Sequence, residues 1–271
     1  MNGASREALA AARERLDALT DSTSVDATRL SDELAAVTAL LDREASLRRV
    51  LTDPAQPGEA KAELVQRLLG SQVDGTAVDL VAGMVRSRWS QPRDLVDALE
   101  ELANLADLTA AQQTNALDDV EDELFRFGRI VASHPDLRAA LTDRGAGAPA
   151  KTELLRRLLG GRAHATTERL VMRLVTVSRG RSLEAGLESL SKLAAARRDR
   201  LVAVVTSAVP LSDTQKQRLG AALAKLYGRR MHLNLDVDPE VVGGIRVQVG
   251  DEVINGSLAD RLEDAARRMA S

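Results

Sequence analysis

A glycine-rich stretch near the end of the chain, VVGGIRVQVGDEVINGS (241–257), is the first place to look for phosphate chemistry. A P-loop needs Gly-x4-Gly-Lys-Ser/Thr, and the chain has no such string. Phosphate is held by backbone N–H groups at a helix N-terminus, whereas the residues after Gly243-Gly244 are typical of a strand. Asn255-Gly256-Ser257 has the form of a glycosylation sequon, but the N-terminus lacks the apolar core of an export signal. The stretch therefore predicts a strand entry, a hairpin turn and a helix cap.

Side chains that could bind a metal or act as nucleophiles are isolated from one another. One acidic run has a valine where a calcium loop needs glycine, and a proline interrupts it; its members are Asp236, Asp238 and Glu240. The histidines lack a second ligand four residues away; they are His134, His164 and His232. Ser178 lies outside any G-x-S-x-G elbow, and there is no cysteine. We therefore expect no metal, no cofactor and no catalytic activity.

The composition also argues against nucleic acid and membranes as direct partners. There are only four aromatic residues, which are too few for base-stacking platforms, and the net charge is −3. No apolar run approaches the roughly 18 residues that a membrane span needs. The basic run ARRDR (196–200) is typical of a solvated helix end. The sequence therefore predicts no nucleic-acid binding and no direct insertion into a membrane.

The chain repeats itself at an offset of about 90 residues. The matched pairs are LRRVLTD (47–53) with LRAALTD (137–143), KAELVQRLLG (61–70) with KTELLRRLLG (151–160), and DLVDALEELANLA (94–106) with SLEAGLESLSKLA (182–194). The first two pairs are 90 residues apart and the third is 88 apart. Chance does not keep register over so many positions, so the pattern indicates a duplicated domain.

Each copy consists of leucine-rich stretches at helical spacing, separated by turn segments rich in proline or glycine. This predicts two tandem six-helix-type bundles, over residues 1–107 and 108–200. The first helix of copy one, about 5–20, maps at this offset onto 95–110, where copy one already has its last helix. Either one long helix serves both copies, or copy two builds its first helix from about 108–116.

The period changes after residue 200. The predicted order is a strand at 201–209, a helix at 210–228, a strand at 231–238, a hairpin at 245–254 and a helix at 257–269. Ser212 is the predicted N-cap of the first of these helices, and Gly228 its end. The predicted fold class is thus mainly α: two helical bundles followed by a small α+β domain over 201–271.

Five short motifs resemble those of the δ subunit of bacterial F-type ATP synthases, whose mitochondrial equivalent is the oligomycin-sensitivity-conferring protein. They are TSAVPL (206–211), Asp238-Pro239, Gly243-Gly244-Ile245, GDEVINGS (250–257) and the LTDP…KAEL…LLG pattern (51–70). Asn255 stands where the family usually has Asp. The family normally has one N-terminal helical domain, whereas this chain has two, which is similar to some actinobacterial δ proteins.

The resemblance implies a mechanical role. Members of this family are non-catalytic subunits of the peripheral stalk, or stator, of the proton-translocating ATP synthase. They join the catalytic α/β head to the b-subunit stalk and resist the torque of the rotor. The implied location is peripheral, at the cytoplasmic face of the plasma membrane, in the ATP synthase complex. The implied partners are the α subunit and one or more b subunits, and no homo-oligomer is expected.

The resemblance also implies binding surfaces. In the family, a groove between the first and fifth helices of the N-terminal domain receives an amphipathic N-terminal helix of an α subunit. Carried over to copy one, the groove walls are Leu9, Ala12, Leu16, Leu19, Val78, Val81, Ala82 and Val85. Groove and core faces share the same helical spacing, so part of this set is also expected in the core. For the b subunit, the implied contacts are Leu258, Leu262 and Met269.

The competing interpretation is a free-standing helical adaptor or regulatory protein that touches nucleic acid through ARRDR (196–200) and RLEDAARRM (261–269). It predicts salt-sensitive nucleic-acid binding and no stable association with a membrane complex.

Overall fold

The computed structural model describes residues 1–21, 25–199, 202–227, 231–238, 244–249 and 252–255. The chain divides into two compact units, Met1–Ala194 and Ala195–Ser271. The first is helical, and the second is built on a small sheet. This confirms the predicted mainly α class with a small α+β part at the C-terminal end. No helix among the described residues is both long and apolar enough to cross a membrane.

The sequence repeat is also a repeat of structure. The helices up to the middle of the first unit are α1 (Gly3–Asp21), α2 (Ala27–Arg43), α3 (Ala45–Thr52), α4 (Gly58–Leu69), α5 (Gly75–Arg86) and α6 (Pro92–Gln113). Those that follow are α7 (Leu117–Ser133), α8 (Pro135–Thr142), α9 (Ala148–Leu159), α10 (Ala165–Thr176) and α11 (Leu183–Asp199). The four helices α2 to α5 recur as α7 to α10, with both ends of each helix shifted by 90 residues. The duplication therefore preserved every helix boundary in this part of the chain.

Turn chemistry explains why these boundaries recur. After α3, the carboxylate of Asp53 accepts a hydrogen bond from the backbone N–H of Ala55 at 2.9 Å. After α8, Asp143 accepts one from the N–H of Gly145 at 2.8 Å. Such Asx turns stop a helix because the side chain competes for the backbone donors that follow it.

The start of α5 is fixed by Asp74, whose carboxylate accepts a hydrogen bond from the backbone N–H of Thr76 at 3.0 Å. That bond holds the pKa of Asp74 below its ordinary value. The cap therefore stabilises the fold above the ordinary pKa of an aspartate and is lost as the pH falls through the lowered value. In copy two, His164 takes this place and accepts from the N–H of Thr166 at 3.2 Å.

Helix α6 belongs to both copies. Shifting α1 by 90 residues gives 93–111, which lies within α6, so one long helix serves as the last helix of copy one and the first of copy two. It contacts α1, α2, α3 and α5 on one side and α7 and α10 on the other. Residues 107 and 108, between which the sequence placed a domain limit, both lie inside this helix.

Helix α6 is buried around most of its circumference. The predicted leucine stripe is in the interior, and its members are Leu95, Leu99, Leu102 and Leu105. Carboxylates on the same helix are buried as well, at Asp94, Glu100 and Asp107. A helix that is buried all round lies at the centre of its unit rather than on its surface. The buried carboxylates need partners, because an unpaired charge in the interior is strongly unfavourable.

The second unit contains a sheet with the described strands β1 (Val202–Ser207), β2 (His232–Val237), β3 (Ile245–Val249) and β4 (Glu252–Asn255). Their order is β2-β1-β3-β4, with β1 and β2 parallel and the other pairs antiparallel. The predicted strands at 201–209 and 231–238 are confirmed with slightly shorter bounds, and the predicted hairpin at 245–254 is confirmed with its second strand ending at Asn255. The predicted helix at 257–269 lies outside the described residues, as do Gly228, Gly243 and Gly250.

Helix α12 (Asp213–Tyr227) covers one face of this sheet. Its start is a reciprocal capping box: Gln215 N–H donates to Ser212 Oγ at 3.3 Å, and Ser212 N–H donates to Gln215 Oε1 at 2.8 Å. The predicted N-cap is therefore confirmed. The core between helix and sheet consists of Ala203, Val205, Leu223, Val247 and Val249.

Strand β2 is less buried than its alternating sequence predicts. Leu233 packs against the core, but Leu235 and Val237 on the same face are 38% and 46% exposed. The reason is the position of β2 at the edge of the sheet, whereas the core lies over β1 and β3. Alternation of apolar and polar residues predicts which face of a strand is turned to the core, but it does not predict whether the strand lies at the edge or in the centre of the sheet.

Replacing a leucine of the shared helix tests whether the two copies unfold as one. Leu99 is fully buried, so Leu99→Ala is expected to lower the free energy of unfolding by about 3 kcal/mol. Leu68→Ala, at a site 39% exposed, is the matched control and should cost less than about 1 kcal/mol. Urea denaturation followed by circular dichroism measures both. Two separate helical transitions, of which only one responds to Leu99→Ala, would contradict a shared core.

Candidate partner-binding groove

In copy one, α1 and α5 contact each other and leave a groove of about 320 Å3 between them. Its lining comes from both helices: Ala8, Ala11, Ala12, Glu14, Arg15, Leu80, Gly83, Met84 and Ser87. Leu80 and Met84 form an apolar floor whose side chains are almost completely buried. The walls include the small residues Ala8, Ala11 and Gly83, which allow the backbone of an incoming helix to approach closely.

Gly83 keeps the groove open. A Cβ at this position would lie 3.6 Å from Arg15 Cδ, an ordinary contact, so alanine fits there. Any longer side chain would extend into the groove itself. Glu14 and Arg15 supply one charge of each sign at the wall.

The structure places the sequence-predicted wall residues mainly in the interior. Seven of the eight are buried: Leu9, Ala12, Leu16, Val78, Val81, Ala82 and Val85. Leu19 is half-buried. Of the whole set, only Ala12 also lines the groove. The predicted residues face the core, and the groove is lined mainly by other residues of the same two helices. Leu258, Leu262 and Met269 lie outside the described residues.

The equivalent place in copy two, between α6 and α10, is closed. The repeat puts Arg173 where copy one has Gly83. Arg173 donates hydrogen bonds at 2.9 Å to Asn104 Oδ1 and Asp107 Oδ2 of α6 and to Ser31 Oγ of α2. What remains open is a cavity of about 20 Å3. Copy two therefore uses its groove face to hold copy one.

A second arginine completes this arrangement. Arg169 Nε donates to Asp107 Oδ1 at 2.9 Å, and its Nη2 donates to Asp32 Oδ1 at 2.7 Å. Burial disfavours the charge of Arg169, but the hydrogen bond to Asp32 and the charge of Asp107 outweigh that cost and raise its pKa. The side chain of Asp107 is only 1% exposed, and each of its two carboxylate oxygens accepts a hydrogen bond from a guanidinium group. Bidentate, charge-assisted contacts of this kind fix geometry as well as adding energy.

These contacts belong to a polar stripe along α6. Glu100 pairs with Arg179 and Arg181, and Asp97 pairs with Arg179 at 3.2 Å. The stripe consists of Arg93, Asp97, Glu100, Asn104 and Asp107, at alternating steps of four and three residues. Such spacing places all five on one helix face. Sequence reasoning missed this stripe, although polar residues at that spacing in a leucine-rich helix were the available signal.

Within the described part of the chain, no group of three or more His, Asp or Glu side chains is placed to hold a metal ion. Glu240 of the acidic run lies outside that part.

Removing the carboxylate of Asp107 should weaken the helical unit strongly. Asp107→Ala removes the buried carboxylate that the partly buried Arg169 and Arg173 share, which is expected to lower the free energy of unfolding by about 3 kcal/mol. The control is Glu153→Ala, since Glu153 also pairs with two arginines, Arg156 and Arg157, but on the surface. The control should change stability far less. Equal losses for both variants in chemical denaturation would show that the buried pairs do not join the copies.

The chain is similar to known proteins over its full length. The family model "ATP synthase delta (OSCP) subunit" matches residues 105–269. ATP synthase subunit delta of Streptomyces coelicolor is 83% identical, covering 100% of this chain and 99% of the relative. The subunit of the same name from Streptomyces avermitilis is 82% identical, with 100% and 99% covered. That of Thermobifida fusca is 48% identical, with both chains covered completely. The chain therefore belongs to the ATP synthase delta (OSCP) subunit family.

Proposed function

We propose that the α1/α5 groove of copy one receives the amphipathic N-terminal helix of an α subunit, and so attaches this chain to the catalytic head. The chain is a non-catalytic, peripheral-stalk subunit of the F-type ATP synthase. The observation that carries the proposal is the difference between the two copies. The groove is open beside Gly83 in copy one and filled by Arg173 in copy two.

This choice of copy does not follow from the family match. The matched residues, 105–269, cover the end of α6, the rest of copy two and the C-terminal unit, and leave out most of copy one. Copy two is thus the part that resembles the usual helical domain of the family. Its groove face is nevertheless occupied by side chains that bind Ser31 and Asp32 of copy one. A partner helix would have to break those contacts, whereas the groove of copy one is free to accept it.

The shape and polarity of the groove suit an amphipathic helix. Helix-in-groove recognition needs an apolar floor for the i, i+3, i+4 anchors and walls that admit the helix backbone. Leu80 and Met84 provide the floor, and Ala8, Ala11 and Gly83 provide low walls. One groove of this size gives a modest affinity, so stable attachment would need a second binding site on the same chain.

We assign that second site to the C-terminal unit, as the place where the b-subunit stalk binds. Leu258, Leu262 and Met269 remain the proposed contacts. With the head bound through copy one and the stalk through the C-terminal unit, the chain would transmit the reaction torque between them. Its proposed location is the cytoplasmic face of the plasma membrane, in the membrane-associated complex.

Filling the groove should prevent binding of the α-subunit helix. Gly83→Leu places a side chain over the floor and is expected to weaken binding of a synthetic peptide of the α-subunit N-terminus at least tenfold, roughly 1.4 kcal/mol. The matched control is Gly75→Leu on the same helix, where nothing lies within 4 Å of an added Cβ. Isothermal titration calorimetry with the full chain measures the affinity. Unchanged binding in Gly83→Leu would exclude this groove as the site.

A further inference from the structure

Copy two has a further cavity, and one of its lining residues, Arg181, also pairs with Glu100 of the polar stripe of α6. Its volume is about 680 Å3, and it lies between α8, the end of α10 and the start of α11, with Lys151 of α9 at its wall. Pockets that take ligands or peptide anchors commonly have volumes of about 300–1,000 Å3. The cavity is therefore large enough to receive the side chains of a partner segment.

The floor of this cavity is apolar. It is formed by Leu141, Leu174, Val175 and Leu183, which come from three different helices and are each less than a tenth exposed. An occupant that fits this floor has to bring apolar side chains with it, which a small inorganic anion does not do.

The rim of the cavity is positively charged. Its cations are Arg138, Arg144, Lys151 and Arg181, and its acids are Asp136 and Glu184. Two of the cations are already paired, Arg138 with Glu184 at 3.5 Å and Arg181 with Glu100 at 2.5 Å. Arg144 and Lys151 make no ion pair with any described carboxylate. The rim therefore has two cations available for carboxylates of a partner.

The corresponding place in copy one is built differently. The repeat puts Pro54 where copy two has Arg144, and Trp89 where it has Arg179. Trp89 is buried there and donates its indole N–H to Met84 O at 2.8 Å. Arg179 is directed to Glu100 of α6 instead. Copy one has a cavity of about 610 Å3 at this place, with Arg49 and Arg88 in its lining. The two cavities therefore differ in the positions of their cations and in the buried Trp89, which only the copy-one lining contains.

We infer that this cavity, called here the copy-two cavity, is a docking site for an acidic amphipathic segment of another polypeptide of the synthase. Apolar side chains of that segment pack on Leu141 and Leu174, and its carboxylates pair with Arg144 and Lys151. The inference rests on the proposed function only for the source of the partner. It gives the second copy a binding role of its own, separate from the groove of copy one.

Site-specific photo-crosslinking in the assembled synthase tests the inference. A photo-crosslinking amino acid is placed at Ala139, on the wall of the copy-two cavity, or at Ala11, on the wall of the groove. Both are exposed alanines on helices, so the two positions are matched. Mass spectrometry identifies the segment that each one captures. From Ala139 we expect a segment of another synthase subunit with net negative charge and apolar side chains at helical spacing.

Charge reversal then separates a specific contact from proximity. Arg144→Glu with Lys151→Glu should reduce the crosslink from Ala139 about tenfold, and the neutral pair Arg144→Gln with Lys151→Gln should reduce it less. The control is Arg67→Glu with Arg129→Glu, two exposed arginines elsewhere that give the same change of charge. Circular dichroism establishes that each variant is folded.

The outcomes distinguish this inference from the proposed function. A crosslink from Ala11 to the α subunit with none from Ala139 overturns the copy-two cavity as a docking site and leaves the groove assignment standing. Capture of a basic or purely polar segment from Ala139, or a yield that the charge reversal does not lower, also overturns it. Loss of the Ala11 crosslink alone counts against the groove and not against the copy-two cavity.

Discussion

A carboxylate removed almost completely from solvent, that of Asp107, is the constraint on which the helical unit depends. An isolated charge in such a place would cost several kcal/mol, and only well-placed partners offset that cost. Arg169 and Arg173 provide them and must approach from α10 at a fixed height along α6. Because both arginines also reach α2, through Asp32 and Ser31, satisfying one buried charge fixes three helices relative to one another. Apolar packing alone would tolerate small shifts along the helices, whereas directional hydrogen bonds do not.

The same contacts explain how a duplicated domain became asymmetric. Two copies of one fold present the same groove twice, but the groove of the second copy faces the first copy. With glycine at position 83, the groove of copy one stays open. With Arg173 at the equivalent position, the groove of copy two is filled by a side chain that connects α10 to α6. The shared α6 makes this possible, since copy two has no separate first helix and borrows one that copy one has already buried.

The sequence predicts those features of the fold that depend on residues close together in the chain. The boundaries of α3 and α8 follow from Asp53 and Asp143, whose turn chemistry acts over two residues and can be read directly. The strands of the C-terminal unit follow from alternation in the same way. The groove walls do not, because Val81 and Gly83 sit on one helix at spacings compatible with either face. The contact of Arg173 with Ser31, 142 residues away, carries no local signal at all. Which residues of each helix line the groove is determined by how the helices pack against one another, which the helical spacing alone does not give.

In a subunit that bears torque, two domains resist bending better when they are connected without a flexible linker. Domains connected by a flexible segment move relative to one another unless a large interface prevents it. Here the connection between the copies is α6 itself, 22 residues and therefore roughly 33 Å of continuous helix, which bends only by straining its own hydrogen bonds. The polar stripe on this helix adds lateral contacts from Arg93 to Asp107. Salt screens the pairs of its buried carboxylates, Glu100 and Asp107, only weakly. Duplication by helix sharing thus lengthens the helical part of the chain without adding a hinge, which is the property that a stator subunit requires.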